Sequence, residues 1–296
     1  MTETMREAFA RTATDLVRTD PVAAVVLAVI SGDMFSEAAT TAPERVVDVG
    51  IAEQCLVGVA AGLAITGLRP IVHSIVPFLV ERPYEQIKVD LVLQRLPAVL
   101  VSTGASYDYA TNGGTHSGHA DVAVLHALPD VEIHVPGTAA EVETLLRVAY
   151  RRDAVSYVRL STADNGVGYV SEPGSAVVLR RGTAATVVAV GPVLAPVLAA
   201  TEGLDVTVLY TATVRPFDSA ALAAVAGTAP VITVEPYAGE VLVPVVLHAL
   251  APRAVRVVPI GVERSFGRHY GSPADHDRTH GLDPGSIRDR IAAVLT

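Results

Sequence analysis

Runs of small and β-branched apolar residues alternate with helical stretches along most of the chain. The run at 21–30 is continuous in Val, Ala and Leu and ends in Ser-Gly-Asp at 31–33, which is typical of a buried parallel strand followed by a loop. Helical spacing predicts helices over 83–94, with Pro at its start, and over 138–150, with Thr138 as the N-cap. This alternation predicts a parallel sheet with helices on both faces. The remaining strands predicted for the first half are 45–48, 70–74, 98–102 and 131–136.

The loop at 161–174 is rich in Gly, Asp and Asn and predicts a domain boundary. The fold class is therefore α/β, with two successive domains at 1–165 and 175–296, each a mostly parallel sheet covered by helices. The polar segment 267–280 is predicted to loop over the surface. The strands predicted for the second domain are 186–190, 206–210, 231–235 and 255–259.

A single carboxylate, Glu53, stands at the head of a strongly apolar stretch. The residues after it, 55–65, are apolar or small with helical spacing, so they predict a helix buried on most sides with Glu53 in its first turn. The helix dipole favours a first-turn Glu, and capping alone would explain this one. Cys55 is predicted to be a packed thiol rather than a nucleophile.

Composition and charge restrict the classes of function. Half of the 296 residues are hydrophobic and 18% are charged, so two domains can build extensive cores. A net charge of −9 without a Lys/Arg run argues against nucleic acid as a partner. No apolar run is long enough to span a membrane, the amino terminus is unlike a signal peptide, and one cysteine suits a reducing compartment. A cytoplasmic location is therefore expected.

A second polar cluster, Asn-Gly-Gly-Thr-His at 112–116, accompanies the Gly-Ile-Ala-Glu-Gln run at 50–54. Together they resemble the pyrimidine-binding half of transketolase and deoxyxylulose-phosphate synthase, a family that uses thiamine diphosphate. Further short runs match the family in the correct order over nearly the whole chain. These runs are 4–9, 31–33, 77–86, 213–218, 234–235 and 281–283.

The resemblance implies roles for five side chains. Glu53 would hydrogen-bond N1′ of the cofactor's aminopyrimidine and so assist removal of its C2 proton, and burial would help it hold a proton. His116 would point at the substrate, a task that suits a pKa near neutrality, although a His in a Gly-rich loop is by default solvated. Phe78 or Tyr84 would form the aromatic wall against the pyrimidine. His73 could line the pocket, and a core His is an equally good reading.

Three positions bear on the substrate. Asn112 stands where the family usually has an Asp that contacts a substrate hydroxyl, and Asp108 on the same loop could compensate. Thr162 stands where the second Arg of an Arg-Leu-Gly-Arg-Gly run grips a substrate phosphate. Arg6 matches the family's other phosphate-side Arg. The resemblance thus implies substrate contacts by Arg6, His73, Asn112 and His116, with one phosphate anchor missing.

The chain lacks the family's Gly-Asp-Gly and downstream Asn, which hold a divalent metal on the diphosphate. The resemblance therefore implies a split transketolase, in which a separate subunit holds Mg²⁺ and the diphosphate, in an α2β2 heterotetramer active only when assembled. The family reaction transfers a two-carbon ketol unit from a ketose to an aldehyde, so sugar or keto substrates are expected. The second domain would be a scaffold, since Glu-Pro-Tyr at 235–237 replaces the family's Glu-Glu-His.

Two alternatives stay open. One is the β-subunit of a 2-oxo acid dehydrogenase, which has the same two domains but usually carries Tyr/His-His-Ser-Gln in the loop. The other is a non-catalytic regulatory subunit that kept the fold. The presence of Glu53 and His116 argues against this second alternative, whereas Asn112 and Thr162 leave it open.

Overall fold

A computed structural model describes residues 3–169, 174–265 and 270–296. In these residues a first sheet has the strand order β10-β5-β6-β4-β3-β1-β2, and all neighbours are parallel except β10 and β5. The first-half strands read as buried apolar runs because helices cover both faces. They are β1 (Ala23–Leu27), β2 (Val46–Asp48), β3 (Arg69–Ile75), β4 (Ala98–Thr103), β5 (Glu132–His134) and β6 (Val155–Arg159), joined by β10 (Thr213–Arg215) from the second half.

The second sheet has the order β12-β11-β8-β9-β7 within the described ranges, and only β7 runs antiparallel to its neighbour. The predicted α/β fold of two mostly parallel sheets is therefore confirmed. The strands β7 and β10 were not predicted, and β12 lies later than the predicted 255–259. The strands of this sheet are β7 (Ala176–Arg180), β8 (Ala185–Val190), β9 (Val206–Thr211), β11 (Val231–Ala238) and β12 (Val257–Val262).

The helices pack on both sheets. One apolar cluster joins residues of both halves, including Leu56, Val188 and Tyr237, so the two sheets share a core. None of the described helices is long and apolar enough to cross a membrane. The helices are α1 (Met5–Thr19), α2 (Ser36–Thr41), α3 (Glu53–Ile65), α4 (Tyr84–Gln86), α5 (Asp121–His126), α6 (Ala139–Arg151), α7 (Leu194–Ala200), α8 (Ser219–Ala226), α9 (Leu242–Ala249), α10 (Pro273–His280) and α11 (Pro284–Leu295).

The helix predicted over 83–94 begins earlier, at Pro77, and is partly π-helical. Two π-helical turns, Pro77–Glu81 and Ile87–Val92, flank the short helix α4. The Arg82 amide accordingly donates to the Pro77 carbonyl, five residues back, at 3.0 Å. Such turns accommodate an extra residue and are frequent at functional sites.

The prediction of a surface loop over 267–280 is wrong from Pro273 onward, where α10 begins. Ser272 caps this helix, Asp275 completes a capping box, and Pro273 occupies the first turn. Both features are start signals that the sequence carried. Residues 267–269 of that prediction, and 170–173 of the predicted boundary loop, lie outside the described residues.

Candidate active site

The candidate residues gather at the carboxyl edge of the first sheet. Ser31 follows β1, Glu53 follows β2, Phe78 follows β3, His116 lies in the loop after β4, and Thr162 follows β6. These five strands are parallel, so their carboxyl ends meet at one edge. Ligands of open α/β sheets bind outside this edge.

Glu53 is almost completely buried, with 2% of its surface exposed. Its Oε2 accepts a hydrogen bond from Nη1 of Arg82 at 2.5 Å, and its Oε1 makes no hydrogen bond within the described part of the chain. A carboxyl whose only role was capping would accept from backbone amides at the helix start. Glu53 instead pairs with Arg82 and leaves its other oxygen without a hydrogen bond among the described residues.

Arg82 and Phe78 connect Glu53 to His116. The Arg82 guanidinium lies 4.2 Å from the centre of the Phe78 ring, a cation–π contact. The Phe78 ring in turn meets the His116 imidazole edge-on at 5.1 Å. Glu53, Phe78 and His116, predicted from separate segments, are therefore brought together. Arg82 keeps 38% of its side chain exposed while its guanidinium pairs with the buried Glu53.

The structure separates the two aromatic candidates. Tyr84 packs against the large apolar cluster, whereas Phe78 faces Arg82 and His116. The extra residue of the π-helical turn explains why spacing along the chain could not decide between them. Cofactor contact stays a prediction for Phe78, and the partly buried Tyr84 packs against the core.

His73 is fully buried and does not face the site, so a direct substrate contact is not supported. Its Nδ1 lies 2.8 Å from the Val101 carbonyl, which can only accept, so Nδ1 carries the proton. Its Nε2 therefore accepts from the Ser31 hydroxyl at 2.9 Å, and Ser31 accepts from Nε of Arg6 at 2.7 Å. Burial lowers the pKa of His73 to about 4, which keeps the ring neutral. His73 thus orients Arg6 through Ser31.

Asn112 lies exposed at the end of a short 3-10 turn, Ala110–Asn112, and a second turn, Gly114–His116, carries the His. Gly113 joins the two turns with a φ of +76°, where an added Cβ would lie 2.7 Å from the Tyr270 ring. Only glycine suits both constraints. The Thr115 hydroxyl lies 3.0 Å from Nδ1 of His116.

Asp108 does not compensate for Asn112, because its carboxylate is engaged elsewhere. It accepts from the Thr162 amide at 3.0 Å, the Thr162 hydroxyl at 2.8 Å, the Ser161 hydroxyl at 3.3 Å and the Ala105 amide at 3.0 Å. Burial raises the pKa of Asp108 despite these donors. The Asp108 carboxylate thus accepts the hydrogen bonds of Ser161 and Thr162. Thr162 is the position where the family resemblance placed a phosphate-binding Arg.

The prediction that α3 is buried on most sides is wrong. Cys55, Gly58 and Gly62 are exposed, and an added Cβ at either glycine would meet no described atom within 4 Å beyond the adjoining residues and helix backbone. Ile51, just before the helix, is 77% exposed, and Ile65 at its end is 64% exposed. We call these five residues the α3 face. The α3 face is an exposed apolar surface along the helix that begins at Glu53.

The pyrimidine half of thiamine diphosphate fits the residues at this edge. Glu53 supplies a buried carboxyl with one unbonded oxygen, Phe78 supplies an aromatic ring, and His116 lies beside that ring. Within residues 3–169, 174–265 and 270–296, no group of three or more His, Cys, Asp or Glu side chains could hold a metal ion.

Glu235 on β11 is fully buried. Its carboxyl accepts from the Thr233 hydroxyl at 3.1 Å and from the backbone amides of Glu240 at 3.2 Å and Leu242 at 3.1 Å. Burial raises the pKa of Glu235 to about 7, and these donors only partly oppose the shift. The folded state therefore binds the Glu235 proton more tightly than the unfolded state does. The resulting stabilisation is fully present below the unfolded-state pKa near 4.5 and is lost as pH rises through 7.

We expect Glu235→Gln to remove this pH dependence. Wild-type stability should fall between pH 5 and pH 8 by up to about 3 kcal/mol from this group, and the variant should lose less over the same interval. Thermal unfolding midpoints of both proteins across that interval measure the difference. The exposed carboxyl variant Glu85→Gln is the control. Parallel curves for wild type and Glu235→Gln would contradict the assignment.

Known protein families match both halves of the chain. The model described as "Transketolase, pyrimidine binding domain" matches residues 2–166, and the model described as "Transketolase, C-terminal domain" matches residues 174–287. An uncharacterized 33.6 kDa protein in the fasciation locus of Rhodococcoides fascians is 43% identical over 295 residues, 98% of this chain and 95% of that protein. The 1-deoxy-D-xylulose-5-phosphate synthase of Albidiferax ferrireducens is 34% identical over 99% of this chain but only 48% of that enzyme.

Solved structures share the fold. A structure titled "Split gene transketolase, inactive beta4 tetramer" superposes with a TM-score of 0.85 at 27% identity, covering 98% of both chains. The transketolase of Campylobacter jejuni superposes with a TM-score of 0.81 at 18% identity, covering 98% of this chain and 46% of that one. The chain thus spans about half the length of the curated synthases and of this transketolase.

Proposed function

The chain belongs to the transketolase family, and on that premise we propose that it is the pyrimidine-side subunit of a split, thiamine-diphosphate-dependent enzyme. In this proposal it transfers a two-carbon ketol unit from a ketose to an aldehyde acceptor. The observation that carries the proposal is the buried Glu53 carboxyl, with one oxygen unbonded, with Phe78 against its partner Arg82 and with His116 against Phe78.

Each side chain has a distinct task in this proposal. Bound thiamine diphosphate supplies the carbon nucleophile for making and breaking the carbon–carbon bond. Glu53 holds a proton at the pyrimidine N1′ in a site shielded from water, Phe78 packs against the pyrimidine ring, and His116 donates to a substrate oxygen. Arg82 has to move off Glu53 Oε2 or share it, since it occupies that oxygen here.

The partner in this proposal is a separate diphosphate-binding subunit that holds Mg²⁺, arranged as an α2β2 heterotetramer. Three observations support it. The chain superposes on a split-gene transketolase chain over 98% of both chains, the described residues contain no metal cluster, and the α3 face is apolar and exposed beside Glu53. The related split-gene chain is described by its title as an inactive β4 tetramer, so a chain of this size and fold can self-associate without activity.

The name of the synthase relatives suggests a phosphorylated product, which makes synthase activity a competing candidate. The contacts of Asp108 favour a different substrate. Its carboxylate takes the Ser161 and Thr162 donors and places negative charge where a phosphate would bind. We therefore favour a ketol transfer in which at least one substrate lacks a terminal phosphate.

The isolated chain should bind thiamine diphosphate weakly and turn over no substrate, since the proposal assigns the metal and the diphosphate to the partner. Calorimetry with cofactor and magnesium on the chain alone measures the affinity. Adding a candidate partner that carries Gly-Asp-Gly and a downstream Asn should restore both binding and turnover. Micromolar binding together with turnover by the chain alone would contradict the split-enzyme proposal.

A matched pair of variants tests the assembly. Gly58→Leu adds a bulky side chain to the α3 face, where no described atom apart from the adjoining residues and helix backbone lies within 4 Å of the new Cβ, so the fold should be kept. It should prevent restoration by the partner. Ala292→Leu adds a similar side chain to the exposed surface of α11 and should have no effect. Equal restoration of both variants would remove the α3 face from the assembly.

A further inference from the structure

Arg159 is 1% exposed and is among the largest buried side chains of the protein. It ends β6 and reaches under the loop 104–119, which carries Asn112 and His116. Its Nε donates to Oδ2 of Asp121 at 2.7 Å, and that carboxylate is also fully buried. Oδ2 of Asp121 accepts a second hydrogen bond from the Tyr157 hydroxyl at 2.6 Å. The Asp121 carboxylate therefore balances the charge of the guanidinium and fixes its position.

The two ends of the loop meet directly above Arg159. The Ser106 amide donates to the Gly118 carbonyl at 2.9 Å, and the Gly118 amide donates to the Ser106 carbonyl at 2.8 Å. We call this pair the neck of the loop. Nη2 of Arg159 donates to both sides of it, to the Ser106 hydroxyl at 2.8 Å and to the Gly118 carbonyl at 3.0 Å. One side chain thus holds both ends of the segment that presents His116.

Strand β11 of the second half completes the arrangement. Its register with β12 shifts between Glu235 and Ala238, a bulge that redirects the backbone toward the loop. The Pro236 carbonyl accepts from the Ser106 hydroxyl and, at 3.4 Å, from Nη1 of Arg159. The Ala238 amide donates to the His119 carbonyl at 2.7 Å. The second half thus contacts the loop through backbone groups that a regular strand would use in its ladder.

We propose that Arg159 is a positioning residue which, together with the bulge of β11, fixes the neck and thereby sets the place of His116. The inference rests on the proposed function in one respect, namely that His116 acts on a substrate. It gives the second half of the chain a role in the reaction beyond that of a scaffold. Arginine suits the task because its planar fork donates in several directions at once.

The choice of variants follows from the burial of the ion pair. Arg159→Ala would leave Asp121 as an unpaired charge in the core, a change that often unfolds a protein. Ser106→Ala is milder, because it removes only the hydroxyl between Arg159 and Pro236. Arg159→Lys keeps the charge against Asp121 and loses the fork. Ser156→Ala is the matched control, since this buried serine on β6 has a hydroxyl without a partner among the described residues.

Two measurements on the full chain are independent of the reaction that it catalyses. Amide hydrogen exchange reports the neck, and exchange of the Ser106 and Gly118 amides should be faster by about tenfold in Ser106→Ala. The proton resonances of the His116 ring report its surroundings and should shift in Ser106→Ala and Arg159→Lys. Neither should change in Ser156→Ala. Unchanged exchange, or unchanged His116 resonances, would overturn the proposal whatever the enzyme does.

Kinetics of the reconstituted enzyme distinguish positioning from mere stability. Ser106→Ala should lower kcat by about tenfold with little change in KM. In a His116→Ala background it should lower kcat no further, because the two residues act as one unit. An equal loss in both backgrounds would show that the neck acts independently of His116 and would overturn the proposal. If no substrate is turned over at all, the proposed function fails, and the His116 resonances still decide the inference.

Discussion

Replacing Glu53 by Gln should slow exchange of the C2 proton of bound thiamine diphosphate in the reconstituted enzyme by about a hundredfold or more. Gln preserves the size of the side chain and its hydrogen-bonding reach but has no acidic proton for N1′ of the pyrimidine. The burial of Glu53 makes the loss large, because no water can replace the carboxyl there. Exchange of the C2 proton, followed by NMR after quenching, measures this step directly.

The ion pair with Arg82 provides the control for this prediction. Glu53→Gln removes both the carboxyl and the ion pair, whereas Arg82→Gln removes the ion pair and leaves the carboxyl. The Arg82 side chain is 38% exposed, so water can solvate it in Glu53→Gln and the fold should persist. Exchange should therefore be lost in Glu53→Gln and kept in Arg82→Gln. Wild-type exchange in Glu53→Gln would remove Glu53 from the mechanism.

The place of the site could be predicted from the sequence in so far as it depends on where parallel strands end. Apolar runs that end in polar residues identify the carboxyl ends of parallel strands, and such ends share one edge. The family resemblance assigned Glu53 and His116 to one site, and Phe78 and Arg82 connect them in the structure. Their roles in catalysis stay predictions that the kinetic experiments test.

The contacts between side chains could not be predicted in the same way. Charged residues in helical segments are usually solvated, so nothing in the sequence distinguished Arg82 from Glu85. The π-helical turn places an extra residue between Phe78 and Tyr84. The buried His73 bonds to Ser31 and does not line the site. Exposure of the α3 face was missed because an apolar helix in a monomer is normally buried, whereas an assembling chain can leave one uncovered.

The Asp108 carboxylate engages residues 161–162, and this limits the donors available to a substrate phosphate. A substrate phosphate carries nearly two negative charges and is usually met by more than one cationic or backbone donor. Here the Thr162 amide and hydroxyl already donate to Asp108, and Arg6 is the remaining cation that the family resemblance assigns to this task. The wild-type enzyme should therefore show no large preference for a phosphorylated aldehyde acceptor over its unphosphorylated counterpart.

Two variants distinguish the possible causes of the absent phosphate preference, namely the lack of an Arg at position 162 and the presence of the Asp108 carboxylate. Thr162→Arg alone should change the preference little, because the new guanidinium would pair with the Asp108 carboxylate beside it. Thr162→Arg combined with Asp108→Asn frees that guanidinium and should raise kcat/KM for the phosphorylated acceptor by about 10- to 100-fold, the effect of one charge-assisted contact. The measurement is kcat/KM for matched acceptors in the reconstituted enzyme.

The chain offers a control with the same local bonding far from the site. The Thr183 amide and hydroxyl donate to Asp205 at 3.1 Å and 2.6 Å, as those of Thr162 do to Asp108. Thr183→Arg combined with Asp205→Asn makes the same change of charge and should leave the preference unaltered. A wild-type preference of about a hundredfold for the phosphorylated acceptor, about 3 kcal/mol, would instead require an additional phosphate-binding residue, from the partner subunit or this chain. In that case Asp108 would act only in holding the loop.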